Sequence, residues 1–323
     1  MNPMTVVACL VHAMLLGGML LIADIAGAQV AARPAASAPR TYAEIVAAAQ
    51  PSDWRLLDPE NTLYLELATG RVIIELAPQM APQTVANIRT LVREGYFEGV
   101  SIIRSHDNYV VQWGIADGMP ERRIIKAKEK LPPEWTRKLP IPASVPFDAL
   151  PDRDGYAAEV GFVTSMPAGR NATKDEVWLT HCYGAVGVGR GNDADSGNGA
   201  SLYVVTGHAP RHLDRNITVV GRVWQGMSLL SSLPRGTKPL GFYEKPGEFV
   251  PIKSLALAVD VAPATRTEIE VLRTDTPLFV RAVEALRNRS GDWFKVPAGY
   301  VELCNVNPAV RTVPILRTAG GGR

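Results

Sequence analysis

The chain has 323 residues, of which 34 are lysine or arginine and 32 are aspartate or glutamate, so its formal net charge is only +2. This near balance argues against a nucleic-acid-binding protein and against a strongly acidic partner. Hydrophobic residues make up 46% of the chain, which is typical of a globular protein, and the length allows a sizeable core.

The first 28 residues differ in character from the rest of the chain. Residues 5–25 are apolar apart from His12 and Asp24, and the run ends in Ala26-Gly27-Ala28. This pattern predicts a secretory signal peptide at residues 1–28. The apolar run approaches the length of a membrane span, so an uncleaved anchor is the alternative. We expect an exported protein, periplasmic or as a second choice secreted, that contacts a membrane only through this segment.

Residues 29–57 are expected to form a linker followed by one short helix. The segment 29–40 is rich in alanine and proline, which is typical of a flexible linker. Residues 41–50 have the composition of a short helix, for which Thr41 is a candidate N-cap.

A β-hairpin and a helix are predicted next. Apolar side chains alternate through residues 63–67 and again through residues 72–76, and the Thr69-Gly70 turn between them predicts a hairpin with one buried face. After Pro82 the apolar residues recur at helical spacing, and Gly95 stands where a left-handed residue often ends a helix. The residues of this apolar helix face are Val85, Ile88 and Val92.

The stretch Ser101–Gly114, SIIRSHDNYVVQWG, contains the candidate chemistry. Arg104 is the only permanently cationic side chain of a first strand, and the polar SHDN that follows predicts a loop. Residues 109–113 then predict a returning strand, with Tyr109, Val111 and Trp113 on one face and Val110 and Gln112 on the other. Taken alone, this pattern fits equally well a hairpin with a solvated arginine and an edge glutamine.

Residues 81–114 as a whole resemble the cyclophilin family of peptidyl-prolyl cis/trans isomerases. The family pattern runs AP-x-TV-x-NF, L, GYYDG, FHR and N-F-hydrophobic-x-QGGD. Its counterparts here, almost without gaps, are Ala81-Pro82-Gln83-Thr84-Val85-Ala86-Asn87-Ile88, Leu91, Gly95-Tyr96-Phe97-Glu98-Gly99 and the two strands around Arg104 and Gln112. The resemblance implies a mainly β fold, a closed antiparallel β-barrel capped by two helices.

We assign this barrel to residues 58–262, with an enlarged insertion at residues 115–180. Residues 121–138 of the insertion carry seven basic and three acidic residues and are followed by the proline-rich LPIPASVPF. A solvated loop is the prediction here, and a basic patch for nucleic acid or anionic lipid is the alternative. The barrel is expected to resume at Trp178.

Later segments extend the resemblance. Residues 184–191, GAVGVGRG, superficially resemble a dinucleotide fingerprint, but only turn chemistry follows them, so we align them with the far wall of the family's pocket. The other matching segments are Ala200-Ser201-Leu202-Tyr203-Val204, His212-Leu213-Asp214, Val219–Val223, the second helix at Gln225–Leu233, and a closing strand with Leu255, Leu257 and Val259.

Residues 263–323 lie outside the family pattern and are expected to form a C-terminal extension that packs on the barrel. Thr276-Pro277 predicts the start of its one helix, whose apolar face contains Phe279, Ala282, Val283 and Leu286. Cys182 and Cys304 are the only cysteines after residue 28. They can pair in an exported protein, but spacing alone does not distinguish a disulfide from two small buried side chains.

Histidine and cysteine patterns give no support for other chemistry. His208 and His212 are four residues apart, but Pro210 disfavours the helix that would align them, so we expect no metal and no cofactor. His181 and Cys182 are adjacent, and adjacent residues of a strand point to opposite faces, which argues against a nucleophilic pair.

The resemblance implies a peptidyl-prolyl cis/trans isomerase that acts on X-Pro bonds of exported proteins as a folding helper. Arg104 is then the donor to the amide nitrogen, and Gln112 holds the substrate backbone. The substrate-binding residues implied in the same way are Tyr109, Val110, Ser201, Tyr203, His212 and Leu213.

Several wall positions depart from the family. Tyr109, Val110, Ser201 and His212 stand where the family has phenylalanine, methionine, glutamine and tryptophan, and the family's late histidine falls near Ile217. A non-catalytic cyclophilin-fold module that binds proline-containing segments is therefore the alternative function. We expect a monomer whose clients are proline-containing polypeptides, with no nucleic-acid partner.

Overall fold

The computed structural model describes residues 41–116, 118–120, 122–139, 146–290 and 293–313. The signal peptide expected at residues 1–28 and the linker at residues 29–40 lie outside the described residues. Within them, no helix has the length and apolar character needed to cross a membrane.

The largest sheet, the barrel sheet, is antiparallel and curled. Its nine strands are β2 (Thr62–Leu67), β3 (Gly70–Leu76), β4 (Ser101–Ser105), β5 (Val110–Gly114), β11 (Ala185–Val188), β12 (Leu202–Val205), β13 (Val219–Gln225), β14 (Val250–Pro251) and β15 (Ser254–Leu257). They are hydrogen bonded in the order β14-β4-β5-β12-β11-β13-β3-β2-β15. The mainly β fold is therefore confirmed.

The ladder of the barrel sheet is not closed. β14 and β15 are its two edges, and residues 250–257 pair with β4 at their start and with β2 at their end. Between the two strands, the amides of Ile252 and Lys253 donate to the carbonyl oxygens of Val100 and Glu66 at 3.1 and 2.8 Å. The expected closed barrel is thus corrected to a curled sheet whose seam is bridged by one continuous segment.

The β2–β3 hairpin is buried on both faces. Leu63 and Ile74 face the barrel core, as the alternation predicts, but Tyr64 and Ile73 on the opposite face are buried as well. The prediction of one buried face is wrong because a second layer, built by the insertion and the C-terminal extension, covers the outside of this hairpin.

The helices lie where the sequence places them. They are α1 (Tyr42–Ala47), α2 (Pro82–Arg93), α3 (Met227–Ser231) and α4 (Pro277–Arg287). α2 buries Val85 and Ile88 in the barrel core, and Gly95 adopts the expected left-handed conformation with φ of 73°. The Glu134 carboxylate accepts hydrogen bonds from the amides of Gln83 and Thr84, so the insertion caps α2 at its positive end.

Part of the insertion forms a separate antiparallel sheet that the sequence does not predict. Its strands are β6 (Arg137–Lys138), β7 (Phe147–Ala149), β8 (Glu159–Val163), β9 (Met166–Arg170) and β10 (Glu176–Leu179), in the order β6-β10-β9-β8-β7. Trp178 lies in β10, so the barrel resumes at β11 instead. The basic stretch before Arg137 contains no helix or strand in its described residues, as the loop prediction expects.

A third antiparallel sheet joins the two ends of the described chain. It contains β1 (Trp54–Leu56), β16 (Ile269–Leu272) and β17 (Val310–Thr312), in the order β1-β16-β17. The linker assignment for residues 29–57 is therefore corrected at its end, where a strand forms. Ile269 and Val271 lie in one buried cluster with the outer face of the β2–β3 hairpin.

The C-terminal helix and a disulfide hold this second layer together. The Thr276 hydroxyl accepts a hydrogen bond from the Phe279 amide at 3.2 Å, so the predicted N-cap is confirmed. Phe279 packs edge to face on Phe162 of the insertion sheet, with ring centres 5.3 Å apart. The structure joins Cys182 to Cys304 in a disulfide, which ties the extension to the chain just before β11.

Candidate active site

The β4–β5 hairpin brings Arg104 and Gln112 together. Ile102 pairs with Trp113 and Arg104 with Gln112, so a β-bulge between Ile102 and Arg104 interrupts the register. A bulge adds one residue to its strand and re-aims the side chains beyond it. Ile102 and Trp113 therefore face the core, while Arg104 shares the opposite face with Gln112, and its Nη1 donates to Gln112 Oε1 at 3.1 Å.

Arg104 is held by neutral partners only. Its Nε donates to the Leu240 carbonyl oxygen at 2.6 Å and its Nη2 donates to His106 Nδ1 at 3.2 Å. The guanidinium carbon also lies 5.5 Å from the centre of the Tyr109 ring and 5.1 Å from that of Phe242. No carboxylate pairs with Arg104 among the described residues, so its charge is directed into the pocket without a counter-ion.

His106 acts as an acceptor because it is neutral. Burial is the larger cause that lowers its pKa below 6.5, and the charge of Arg104 lowers it further. An arginine can only donate, so Nδ1 must be the unprotonated ring nitrogen in this contact.

A distant loop, residues 234–243, lies along β4 and completes the support of Arg104. The Gly236 amide donates to the Ser105 carbonyl oxygen and the Tyr243 amide to that of Ile103, at 2.9 and 3.0 Å. Leu240 has a φ of 63°, an uncommon conformation for leucine, which aims its carbonyl at Arg104. The approach is close, since a Cβ on Gly241 would lie 2.4 Å from the His106 Cα.

Gln112 is oriented by a second contact. Its Nε2 donates to Ser201 Oγ at 3.0 Å, and that hydroxyl donates to the Trp113 carbonyl oxygen at 3.2 Å. The amide group therefore presents its oxygen to Arg104, and Ser201 acts by orienting Gln112 in the pocket wall. Gly189 lies beside the pair, because a Cβ there would be 2.8 Å from Ser201 Oγ.

A pocket of about 230 Å³ lies in front of these polar groups. Four of the expected wall residues line it together: Tyr109, Val110, Tyr203 and Leu213. The remaining lining residues are Arg104, Gln112, Gly189, Arg190, Ile217, Leu240 and Phe242. The pocket thus combines an apolar wall with one cationic donor and one amide.

A chain of buried polar groups supports the pocket wall from behind. The Tyr203 hydroxyl and His181 Nε2 are 2.8 Å apart, and His181 Nδ1 is 2.9 Å from Asp214 Oδ1. Asp214 accepts from Arg211 Nε at 2.6 Å, and Arg211 forms a bidentate pair with Asp154 of the insertion. The wall of the pocket is therefore hydrogen bonded to the second layer.

The pKa values of this hydrogen-bonded series of side chains fit a neutral tyrosine and a charged aspartate. Burial raises the pKa of Tyr203 well above its ordinary value. Burial alone would raise the pKa of Asp214 too, but hydrogen bonds from His181 and the charge of Arg211 outweigh it and lower this pKa. The phenol therefore stays protonated and donates to His181, as the carboxylate accepts on the other side.

Three expected positions differ from their assignments, and the first, Ser201, contacts Gln112 but does not itself line the pocket. Tyr109 precedes β5 and lines the pocket with Val110, so it does not share the core face of Val111. His212 lies exposed in the single turn Arg211–Leu213 and is not a lining residue, whereas its neighbour Leu213 is. The assignment of His212 to substrate binding stays a prediction that the geometry does not support.

Sequence reasoning missed the contribution of Leu240 and Phe242, because nothing local in that loop marks it as part of a site. Arg190 and Gly189 could have been predicted as site residues, since the glycine-rich segment that contains them aligns with the pocket wall. In the described residues, no group of three or more histidine, cysteine, aspartate or glutamate side chains is arranged to hold a metal ion.

Comparisons with known proteins agree with this geometry. The family model described as "Cyclophilin type peptidyl-prolyl cis-trans isomerase/CLD" matches residues 62–256, more than half of the chain. A "Probable peptidyl-prolyl cis-trans isomerase" of Brucella suis biovar 1 is 29% identical over 181 residues, covering 56% of this chain and 75% of the relative. Human "Peptidyl-prolyl cis-trans isomerase-like 1" is 34% identical over 73 residues, covering 23% and 42%.

A solved structure extends the similarity beyond the matched family region. The crystal structure of cyclophilin AquaCyp293 from Hirschia baltica is similar with a TM-score of 0.61 and 26% identity. The match covers 84% of this chain and 97% of that one, so it includes residues outside the range 62–256 that the family model matches.

Proposed function

The chain belongs to the family of cyclophilin-type peptidyl-prolyl cis-trans isomerases, and from this premise we propose that it isomerises X-Pro bonds at the pocket in front of Arg104. The observation that carries the proposal is the arrangement of Arg104. It is a half-buried cation without a carboxylate partner among the described residues, fixed by three neutral acceptors beside an apolar wall.

The reaction needs no covalent step. The barrier of about 18–20 kcal/mol arises from amide resonance, which is lost when the bond is twisted by a quarter turn. The nitrogen of the twisted amide regains its lone pair and can accept a hydrogen bond. A donor at that nitrogen stabilises the twisted state more than either planar state, and this difference accelerates the reaction.

Arg104 has the donors for this role. A guanidinium carries five N–H groups, and three of them are engaged by Leu240, Gln112 and His106. The two that remain on the Nη atoms are available to substrate. Because the three contacts fix the plane of the guanidinium, little reorganisation is required when the amide twists.

The other pocket residues bind and orient the substrate. Tyr109, Val110, Tyr203 and Leu213 provide the apolar surface for the proline ring, and Gln112 holds the substrate backbone through its amide group. Ser201 orients Gln112.

We propose further that the clients are exported proteins and that the protein works as a monomeric folding helper in the periplasm. The apolar segment that precedes residue 29 supports export. The Cys182–Cys304 disulfide supports an oxidising compartment, since such bonds persist mainly outside the cytosol.

The replaced wall residues favour one competing function, a module that grips proline-containing segments without turning them over. NMR exchange spectroscopy on Ala-Pro peptides separates the two functions. Catalysis predicts cis–trans exchange cross-peaks that grow with protein concentration. Binding shifts without any faster exchange would support the non-catalytic module and contradict the isomerase.

A further inference from the structure

The pocket carries two positive charges that no acid neutralises. Of its eleven lining residues only Arg104 and Arg190 have charged side chains. Neither forms an ion pair with an aspartate or glutamate in the described residues. A small pocket with low-dielectric walls concentrates the field of such charges, so the pocket favours a negatively charged ligand group.

Arg190 is held by backbone carbonyls in a fixed position. Its Nε donates to the Asn216 carbonyl oxygen at 3.0 Å, and its Nη1 donates to those of Gly191 and Asn192 at 2.7 and 3.4 Å. The guanidinium carbon also lies 5.4 Å from the centre of the Trp135 ring. These contacts leave the Nη2 amino group without an acceptor among the described residues.

The acids nearest in sequence form no ion pair with Arg190. Asp195 pairs with Lys130 at 3.3 Å, and the exposed Asp193 forms no ion pair with any described residue. Arg190 follows Gly189 directly, and a Cβ at Gly189 would lie 3.1 Å from Gln112 Nε2. A peptide backbone held by Gln112 therefore passes beside the residue that precedes Arg190.

We propose that this pocket selects proline segments that carry an aspartate or glutamate directly beside the proline, and that Arg190 is the specificity-determining residue. This inference rests on the proposed function, because it takes a proline-containing peptide as the ligand. Arg104 is engaged with the amide nitrogen, so the second guanidinium is the one left for the side-chain carboxylate. A guanidinium fixed in place with a free amino group suits a carboxylate well.

The test uses four short peptides in two matched pairs. In one pair the residue before proline is glutamate or glutamine, and in the other pair the residue after proline is varied in the same way. Dissociation constants come from NMR titration of the protein, and exchange rates come from the same samples. The Glu peptide of at least one pair should bind about three- to tenfold more tightly than its Gln counterpart at low salt. The preference should shrink as the salt concentration rises.

Two variants locate the origin of the preference. In Arg190→Gln the ratio of the two dissociation constants should fall to about one. Arg123→Gln removes the same charge from an exposed position outside the pocket, and it should keep the wild-type ratio. Equal affinities within both pairs for the wild type, or a preference that survives in Arg190→Gln, would overturn the proposal.

The measurements also separate this proposal from the isomerase assignment. Preferential binding of Glu peptides without accelerated exchange would refute the proposed function and support the specificity. Accelerated exchange without any preference for Glu peptides would support the proposed function and refute the specificity. No binding and no exchange with any of the four peptides would overturn both.

Discussion

The Cys182–Cys304 disulfide should contribute a large share of the stability of the chain. The two cysteines are 122 residues apart in sequence, and the loop that they close contains five strands of the barrel sheet, β11 to β15, together with β16 of the third sheet. The chain-entropy relation for a loop of this length gives about 5 kcal/mol at 25 °C. Typical domains have a free energy of unfolding of only about 5–15 kcal/mol, so reduction should weaken the fold severely.

Urea unfolding followed by tryptophan fluorescence, with and without reductant, measures this contribution. We expect reduction to lower the midpoint by about 1–2 M urea. A variant with both Cys182→Ala and Cys304→Ala serves as control. Its midpoint should match that of the reduced protein and should be the same with and without reductant. Coincident curves for the oxidised and reduced wild type, or two free thiols in denatured protein purified without reductant, would refute this reasoning.

Three further predictions concern the pocket. Tyr203→Phe leaves Nε2 of the buried His181 without a partner and should lower the free energy of unfolding by about 1–3 kcal/mol, measured in urea. Gly187→Ala should lower the free energy of unfolding more than Tyr203→Phe does in the same assay, because the new Cβ would lie 2.2 Å from Tyr203 Cζ and displace the ring. The pKa of His106 is lower in the folded protein than its ordinary 6.5, so its contact with Arg104 is intact above pH 6.5 and is lost as the pH falls through the lower folded value. Isomerase activity should therefore be constant above pH 6.5 and decrease at lower pH. His106→Asn should remove this decrease. The same decrease at low pH in that variant would contradict the role of His106.

The sequence predicts those parts of the fold that local patterns specify. The β2–β3 hairpin, α2 with Gly95 and α4 with Thr276 all carry their own periodicity and their own end signals. Arg104 and Gln112 are only eight residues apart on the two strands of one hairpin, so a local pattern is enough to predict that they lie together.

The parts that the sequence does not predict depend on contacts between distant segments or lack the usual signals. The β8–β9 turn uses Thr164 and Ser165, both with positive φ, where such hairpins ordinarily have asparagine or glycine. The turn signal is therefore missing, and the insertion sheet goes unrecognised. Leu240 and Phe242 reach Arg104 across more than 130 residues of chain, a distance over which no local pattern gives information.

The disulfide belongs to the same group of unpredictable features. The spacing of Cys182 and Cys304 allows a bond but does not require one, because pairing depends on how the extension packs against the second layer. The assignment of His212 stays a prediction for a related reason: alignment places a residue in a turn but does not determine which side chain of that turn faces the pocket, and in this structure Leu213 lines it.

The most direct test of the assignment is the kcat/KM of Arg104→Ala for an Ala-Pro peptide, measured beside the wild type and an Arg123→Ala control. Arg104 is proposed to donate mainly to the twisted amide, so its loss should reduce kcat/KM by on the order of a hundredfold or more. The thermal unfolding curve should show a folded protein, and the exposed Arg123→Ala should retain wild-type activity. A folded Arg104→Ala with an unchanged kcat/KM would contradict the account.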